Sequence, residues 1–338
     1  MGHFELERRW TILQTKIRAD TVPTPFRPQL SRLVGHQDSV YTCCFVPSHD
    51  SSHRGYIVTG SRDWTLRLWD SETCECVSIV SGHQGSVLSL YYCNGLLVSG
   101  SSDGTACVWR ITSSTRTSKP DMSLKYTLQG HKAGILGVCG DDKWIVTASR
   151  DTTLRVWHCD TGELRRIYKG HHACVNACHM NEGHVASAAA DGSVHIWEPS
   201  TGATLQELSG ISNGVATIHL CQELCFTGSS DKAVRIWQWR TGQCICQFQA
   251  HYQLVRTLAY DPDRYILVTG GWDRMTRTWH LASLLDSAQY LYGEDSPHLV
   301  LENGMHHGRI FHVCLDATRV LAACEDKTVW ITDYLGPI

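Results

Sequence analysis

The sequence predicts an all-β protein, a closed propeller of seven four-stranded blades. Three observations lead there. The phrase Val58-Thr-Gly-Ser-Arg-Asp-Trp-Thr-Leu-Arg-Leu-Trp-Asp70 returns as Val98–Arg110, Val146–His158, Ala186–Glu198, Phe226–Gln238 and Val268–His280. Each copy carries an Asp six residues before a Trp: Asp63/Trp69, Asp103/Trp109, Asp151/Trp157, Asp191/Trp197, Asp231/Trp237 and Asp273/Trp279. The Trp-to-Trp steps are 40, 48, 40, 40 and 42 residues, and a period near 40 with Gly-His early and Trp-Asp late marks a four-stranded propeller blade. A seventh, eroded copy, Val320–Asp333, keeps Asp326 but has Thr332 where the Trp would stand. The repeats override the two-domain expectation that 338 residues would otherwise raise.

Residues 1–28 stand apart from this rhythm. Leu6, Trp10, Leu13 and Ile17 fall at helical spacing and predict a short helix from about residue 3 to 18. Thr21–Pro28 follows, with Pro23, Pro25 and Pro28 excluding further helix because proline lacks the amide donor and restricts its predecessor. The chain thus divides into an N-terminal helix with a Pro-rich linker, 1–28, and a propeller, 29–338. Within the first repeat the expected strands are Val40–Phe45 (a), Tyr56–Thr59 (b), Thr65–Trp69 (c) and Cys76–Val80 (d). Thr161-Gly162, Thr201-Gly202 and Thr241-Gly242 are the turns between c and d, where Gly supplies a positive φ at low cost. Three insertions break the period: Pro47–Arg54 in blade 1, the polar Thr112–Ser123 in blade 2, and Leu281–Asp295 in blade 6, whose Leu281, Leu284, Leu285 and Ala288 suggest a short helix.

Composition narrows the function classes. The net charge of −3 gives no global basic field for nucleic acid. No run of 18 apolar residues suggests a transmembrane helix, and the charged N-terminus, with Glu5, Glu7, Arg8 and Arg9, does not read as a secretory signal. Sixteen cysteines invite a disulfide or zinc reading, yet none forms a C-x-x-C pair. Most fall at core-facing or turn positions, where a free thiol acts as a small hydrophobe. Structural thiols imply a reducing compartment, cytoplasm or nucleus. No metal or cofactor is expected.

These phrases identify the chain as a member of the WD40 (beta-transducin) repeat family over about residues 29 to 334. The resemblance implies that Leu30–Val34 is the outer strand of the last blade, so that both chain ends pair to close the ring and no sheet edge is left open. It places the three insertions on the face opposite the Gly-His loops. It also implies a buried network in each blade, made of the Gly-His histidine, a Ser or Thr two before the Asp, the Asp and the Trp. A buried carboxylate needs such donors. The full set reads three times: His36/Ser61/Asp63/Trp69, His83/Ser101/Asp103/Trp109 and His131/Ser149/Asp151/Trp157. Blade 4 keeps His171, Asp191 and Trp197 with Ala189. Blade 5 has Asp231 and Trp237 but Ile211 for His. Blade 6 has His251, Asp273 and Trp279 with Gly271, and blade 7 has His306 with Cys324. Recurrence in every blade argues for structure rather than catalysis.

Two positions per blade are expected on the channel rim. One follows the first apolar residue of strand a: Tyr41, Leu88, Leu136, Asn176, Ala216, Arg256 and Phe311. The other precedes the Asp: Arg62, Ser102, Arg150, Ala190, Ser230, Trp272 and Glu325. Arg62, Arg150 and Arg256 are the cations of this set, and Tyr41, Trp272 and Phe311 its aromatics. Three guanidiniums around one mouth suit a phosphate or carboxylate, with aromatics covering its apolar neighbours. The alternative is that Arg62 and Arg150 merely pair with local carboxylates. A separate set, Arg67, Arg155, Arg235 and Arg277, four after each Asp, is expected between blades as structural cations.

Glu7-Arg-Arg-Trp10 before the first repeat, with the density of Val-[Ser/Thr]-Gly-Ser-x-Asp phrases, resembles the F-box/WD substrate receptors of cullin-RING ubiquitin ligases. That resemblance implies capture of phosphorylated degrons by Arg62, Arg150 and Arg256. Residues 1–28 are too few to hold the three helices of an F-box, so a ligase core is an expected partner only through an F-box upstream. The sequence therefore reads as a non-catalytic platform binding phosphorylated or acidic peptides. A general scaffold subunit of a signalling or RNA-processing complex is the alternative. A propeller hydrolase is the remote one, since the fourteen rim positions hold no His, Asp or Cys.

Overall fold

The computed structural model describes residues 28–47, 55–112, 120–282, 297–304 and 306–334. The expected N-terminal helix, most of the blade 1 and blade 6 insertions, and the middle of the blade 2 insertion lie outside them. The described residues form seven antiparallel four-stranded sheets. In blade 1 the strands are Val40–Val46, Tyr56–Ser61, Thr65–Asp70 and Cys76–Ser81, in that order across the sheet. The innermost strands of the other blades are Val87–Cys93, Ile135–Gly140, Val175–Asn181, Val215–Cys221, Val255–Asp261 and Ile310–Leu315. In blade 2 the outer strands run further into the insertion than its polar composition suggests, pairing Thr112 with Asp121.

The last blade is completed by the start of the chain. Gln29–Val34 pairs antiparallel with Thr328–Asp333, from Gln29 against Asp333 to Val34 against Thr328. The propeller is thus a closed ring. The apolar core lies in layers between neighbouring blades. Leu33, Val40, Ile57, Trp69, Val329 and Ile331 form one such layer between blades 7 and 1. Val58, Leu66, Leu68, Val87, Leu97 and Trp109 form the next. All sixteen cysteines are free, and nine are buried. No helix among the described residues is long and apolar enough to cross a membrane.

Blades 1, 2, 3 and 6 are pinned by a directional hydrogen-bond relay, whereas blade 7 has Ala322 at the hydroxyl position and leaves the Trp330 indole nitrogen without a partner among the described residues. Trp69 Nε1 donates to Thr59 Oγ1 at 2.8 Å, Thr59 lies 2.7 Å from His36 Nε2, and His36 Nδ1 lies 2.8 Å from Asp63 Oδ2. An ionised carboxylate only accepts, so Nδ1 carries the proton and Nε2 accepts from the hydroxyl. Thr65 and the Gln37 N–H complete the carboxylate shell. Burial alone would raise the Asp63 carboxyl, but the bonds from Thr65, Gln37 and His36 outweigh it and hold it at about 2. Burial dominates at His36 and lowers its imidazole despite Asp63.

The hydroxyl in this relay is not the one expected. It lies four residues before the Asp, at Thr59, Ser99 and Thr147, rather than two before it. The tryptophans follow the same correction. Trp109 donates to Ser99 at 2.8 Å rather than joining Ser101, and Trp157 donates to Thr147 at 3.0 Å rather than joining Ser149. Trp157 is also more than a relay donor. Its ring is buried in the apolar layer with Val98, Leu128, Ile135 and Ile145. Trp197 and Trp237 likewise donate to Ser187 and Thr227, at 3.3 and 2.9 Å.

Ser61 Oγ instead donates to the carbonyls of Asp38 and Ser39 and accepts from the Asp63 N–H. Ser149 does the same for Ala133, Gly134 and Asp151, and Ser101 accepts from the Asp103 N–H. Blade 6 consequently has a complete relay through Thr269, despite Gly271: Trp279 donates to Thr269 at 3.0 Å, and His251 lies 2.8 Å from Thr269 and 2.9 Å from Asp273. In blade 4 His171 reaches Asp191 only through Ser193, at 2.6 Å on each side.

The arginines expected between blades serve their own blade's Asp in two cases. Arg235 Nη2 lies 2.6 Å from Asp231 and replaces the missing histidine. Arg277 Nη1 lies 3.0 Å from Asp273.

Thr59→Val is expected to cost about 2–3 kcal/mol, because one substitution orphans both the Trp69 N–H and the His36 ring nitrogen. His36→Ala or Asp63→Ala should cost about 1–3 kcal/mol by orphaning one partner. Urea unfolding of the three variants checks this. An unchanged midpoint for Thr59→Val would contradict the relay.

Candidate functional site

The seven blades aim one residue each into the central channel by the same device. Pairing of strands a and b slips by one residue near the start of strand a, as between Val40 and Thr42 in blade 1 and between Val255 and Thr257 in blade 6. The skipped residue leaves the ladder and turns inward, as a bulge allows. The seven skipped residues are Tyr41, Leu88, Leu136, Asn176, Ala216, Arg256 and Phe311. All seven line a channel of about 410 Å³.

The channel wall is mostly apolar, and Tyr41 and Phe311 meet edge to face at 4.8 Å. Among the described lining residues, Arg256 is the only Lys, Arg, Asp or Glu. No described residue forms a hydrogen bond or ion pair with its guanidinium. Burial lowers the Arg256 pKa below its ordinary value. His312, also in the wall, is pushed down to about 4 by burial and then by the Arg256 charge. Arg256 is half-buried and faces the channel without a protein counter-charge among the described residues.

The residues preceding each Asp do not line the channel. Their backbone N–H groups bond to the carbonyl just ahead of strand a, as Arg62 does to Ser39 and Trp272 to Leu254. This holds them on the loops of the Gly-His face. Arg62 is 60% exposed and lies 3.6 Å from Asp38. A pair this long and solvated contributes little. Arg150 is exposed. Trp272 lies under the Arg309 guanidinium, 4.7 Å from the ring centroid, with its indole nitrogen buried and unpartnered among the described residues. The structure therefore separates the three arginines: Arg256 in the channel, Arg62 and Arg150 on the surface around it. Trp64 and Tyr252 add exposed aromatic surface, at 54% and 70%. Trp64 and Arg274 hold left-handed conformations with φ of 69° and 67° in the turn after their Asp.

Asp38 and Arg309 escaped the sequence reading because they belong to the loops before strand a, outside the two positions considered. Pairing of opposite charges in neighbouring loops of one repeat was the only available signal.

A closed ring with a lined channel and a loop-built face, and with buried His and Asp groups held in relays, is a repeat propeller whose polar pairs are structural. The family model described as WD domain, G-beta repeat matches residues 27–70, 74–110, 122–158, 162–198 and 242–280, and the chain belongs to that family. The unmatched repeats are the ones lacking the Gly-His histidine, at Ile211, or the Trp, at Thr332. The chain is 32% identical to Cell division control protein 4 of Saccharomyces cerevisiae over 161 residues, 43% of this chain and 19% of that protein. It is 27% identical to Nuclear distribution protein PAC1 of Arthroderma otae over 192 residues, 51% of this chain and 40% of that one. It is 32% identical to the guanine nucleotide-binding protein subunit beta of Oryza sativa subsp. indica over 146 residues, 40% of this chain and 36% of that protein. The matched regions span between about a fifth and two fifths of these relatives' lengths.

Proposed function

We propose that the chain is a non-catalytic substrate-recognition module that captures acidic or phosphorylated peptide segments on its Gly-His face for ubiquitin-mediated degradation. The observation that carries the reading is Arg256, an uncompensated guanidinium inside an otherwise uncharged channel. Retaining such a charge costs stability unless a ligand supplies the anion. Arg62 and Arg150 on the surrounding loops extend positive charge toward a bound segment. Tyr41, Phe311 and Trp272 offer aromatic contact. The match to Cell division control protein 4 and the Glu7-Arg-Arg-Trp10 segment support the ubiquitin part of the reading. The matches to a G-protein β subunit and to a nuclear distribution protein support the broader scaffold reading instead.

The test is a pull-down from lysate, with and without phosphatase, using wild type beside an Arg62/Arg150/Arg256→Ala triple variant. Partners lost in the triple variant are expected, and among them a phosphorylated set also lost with phosphatase. Partners that survive both treatments would refute the anion-binding face.

A further inference from the structure

We infer that the channel site accepts a carboxylate side chain, glutamate or aspartate, from a peptide lying across the mouth, in preference to a phosphate. The inference rests on the peptide-recognition reading above and narrows its ligand.

Charge counting carries it. Arg256 is the one fixed cation among the described lining residues. Arg62 and Arg150 do not line the channel, and Arg62 already faces Asp38. The three lining histidines cannot assist at neutral pH. Burial pushes His179 down to about 4, as it does His312 with help from Arg256, and it lowers His219 as well. One guanidinium and one carboxylate form a neutral bidentate pair. A phosphoryl group brings a charge of about −1.5 to −2, so the same pairing leaves excess negative charge against a wall with no second fixed cation among the described lining residues.

Depth and shape agree. Arg256 is the second residue of its strand, near the end that meets the Gly-His loops, while Tyr260 lines the channel further along the same strand. A side chain reaching down from a segment across the mouth meets Arg256 first. Its methylene groups then lie among Tyr41, Phe311 and Leu88, which share that ring.

The experiment uses the full chain, immobilised, and pools of acetylated, amidated peptides randomised around a fixed central Glu, Asp, phosphoserine or Gln. A fifth pool has central Gln and a free C-terminus. Wild type is compared with Arg256→Met and Arg256→Lys. Retention of the Glu or Asp pool at least about tenfold above the amidated Gln pool is expected, lost in Arg256→Met, as for a charge-assisted bond. Preferential retention of phosphoserine through Arg256 would overturn the carboxylate preference and leave the peptide reading standing. Retention of Glu unchanged in Arg256→Met would remove Arg256 from the site and overturn the inference, leaving any peptide binding to the loop arginines. Retention of the free C-terminus pool alone would transfer the site to a chain end and overturn the side-chain assignment. No pool above amidated Gln in wild type would overturn both the inference and the reading. Arg256→Met should melt no lower than wild type, since the guanidinium has no hydrogen-bond or ion-pair partner to lose among the described residues. A lower melt would make Arg256 a structural cation and overturn the proposal, with Arg256→Lys reporting whether charge alone restores retention.

Discussion

Acidification from about pH 7 to about pH 4 is expected to lower the melting temperature by at least about 15 °C, well before the structural carboxylates titrate. The cause is a set of imidazoles that the propeller keeps neutral. Burial pushes His171, His179, His306 and His312 down to about 4, and it lowers His36, His83 and His131 as well. The unfolded chain takes up these protons near pH 6.5. Stability from each group is therefore whole above that pH and is lost as pH falls toward the folded value. Each of the four contributes on the order of 2 kcal/mol, so together they approach an ordinary domain's stability of about 5–15 kcal/mol. The local reasons are specific. The His179 ring accepts the Leu220 N–H at 3.2 Å and lies tilted against His219 with ring centroids 4.0 Å apart. His171 has a hydroxyl on each ring nitrogen and stacks on His195 at 4.3 Å. Protonation puts charge against charge or breaks an acceptor. Asp63 and Asp151, held at about 2, lose their contribution only below about pH 4, so the two windows separate. Thermal melts across this range check the prediction, with His179→Gln giving a shallower fall. A flat melting temperature down to about pH 4.5 would refute it.

Loss of ring closure should be the most damaging single lesion. Leu33 and Val34 are neighbours on the strand that completes blade 7, yet Leu33 is 1% exposed and Val34 is 63% exposed. Leu33 packs with Trp69, Val329 and Ile331 at the junction of the chain ends. Leu33→Ala is expected to cost about 3 kcal/mol. Leu33→Asp should cost more than about 4 kcal/mol by burying an unpaired carboxylate. Val34→Asp should stay within about 0.5 kcal/mol of wild type. Urea midpoints separate the cases. Equal effects at the two positions would mean that the N-terminal strand does not carry the closure.

The architecture was legible because the Asp–Trp spacing recurs at a fixed period, and because most blades bury the same relay. The relay hydroxyl was misplaced for a physical reason. Thr59 and Ser61 are two apart on one strand, so both face the same side and both are buried. Thr147 and Ser149 pose the same ambiguity beneath Trp157. Periodicity cannot separate them. Comparison among the repeats could have: Thr59, Ser99, Thr147, Ser187, Thr227 and Thr269 all carry a hydroxyl four before the Asp, whereas blades 4 and 6 have Ala189 and Gly271 two before it. The channel ring, from Tyr41 to Phe311, was readable as a position in the repeat, although the bulge that turns it inward leaves no mark in composition. The loop ring was expected on the rim beside the channel ring, and it lies on the loops around the mouth rather than in the channel wall. Its residues adjoin the relay Asp, and the backbone bond that holds Arg62 or Trp272 on the outer loop involves no side chain.

Partners are expected to engage the channel mouth rather than the outer strands. Site-specific photo-crosslinking tests it most directly. A photoreactive residue is placed at Ser102 or Ala190 on the mouth loops, and at Ile79 or Leu205 on exposed outer strands. Mouth positions should capture a common partner, capture should be lost when Arg256 is also replaced, and outer positions should capture none of it. Capture of that partner from Ile79 or Leu205, undiminished by Arg256→Met, would place the binding surface on the outer strands instead.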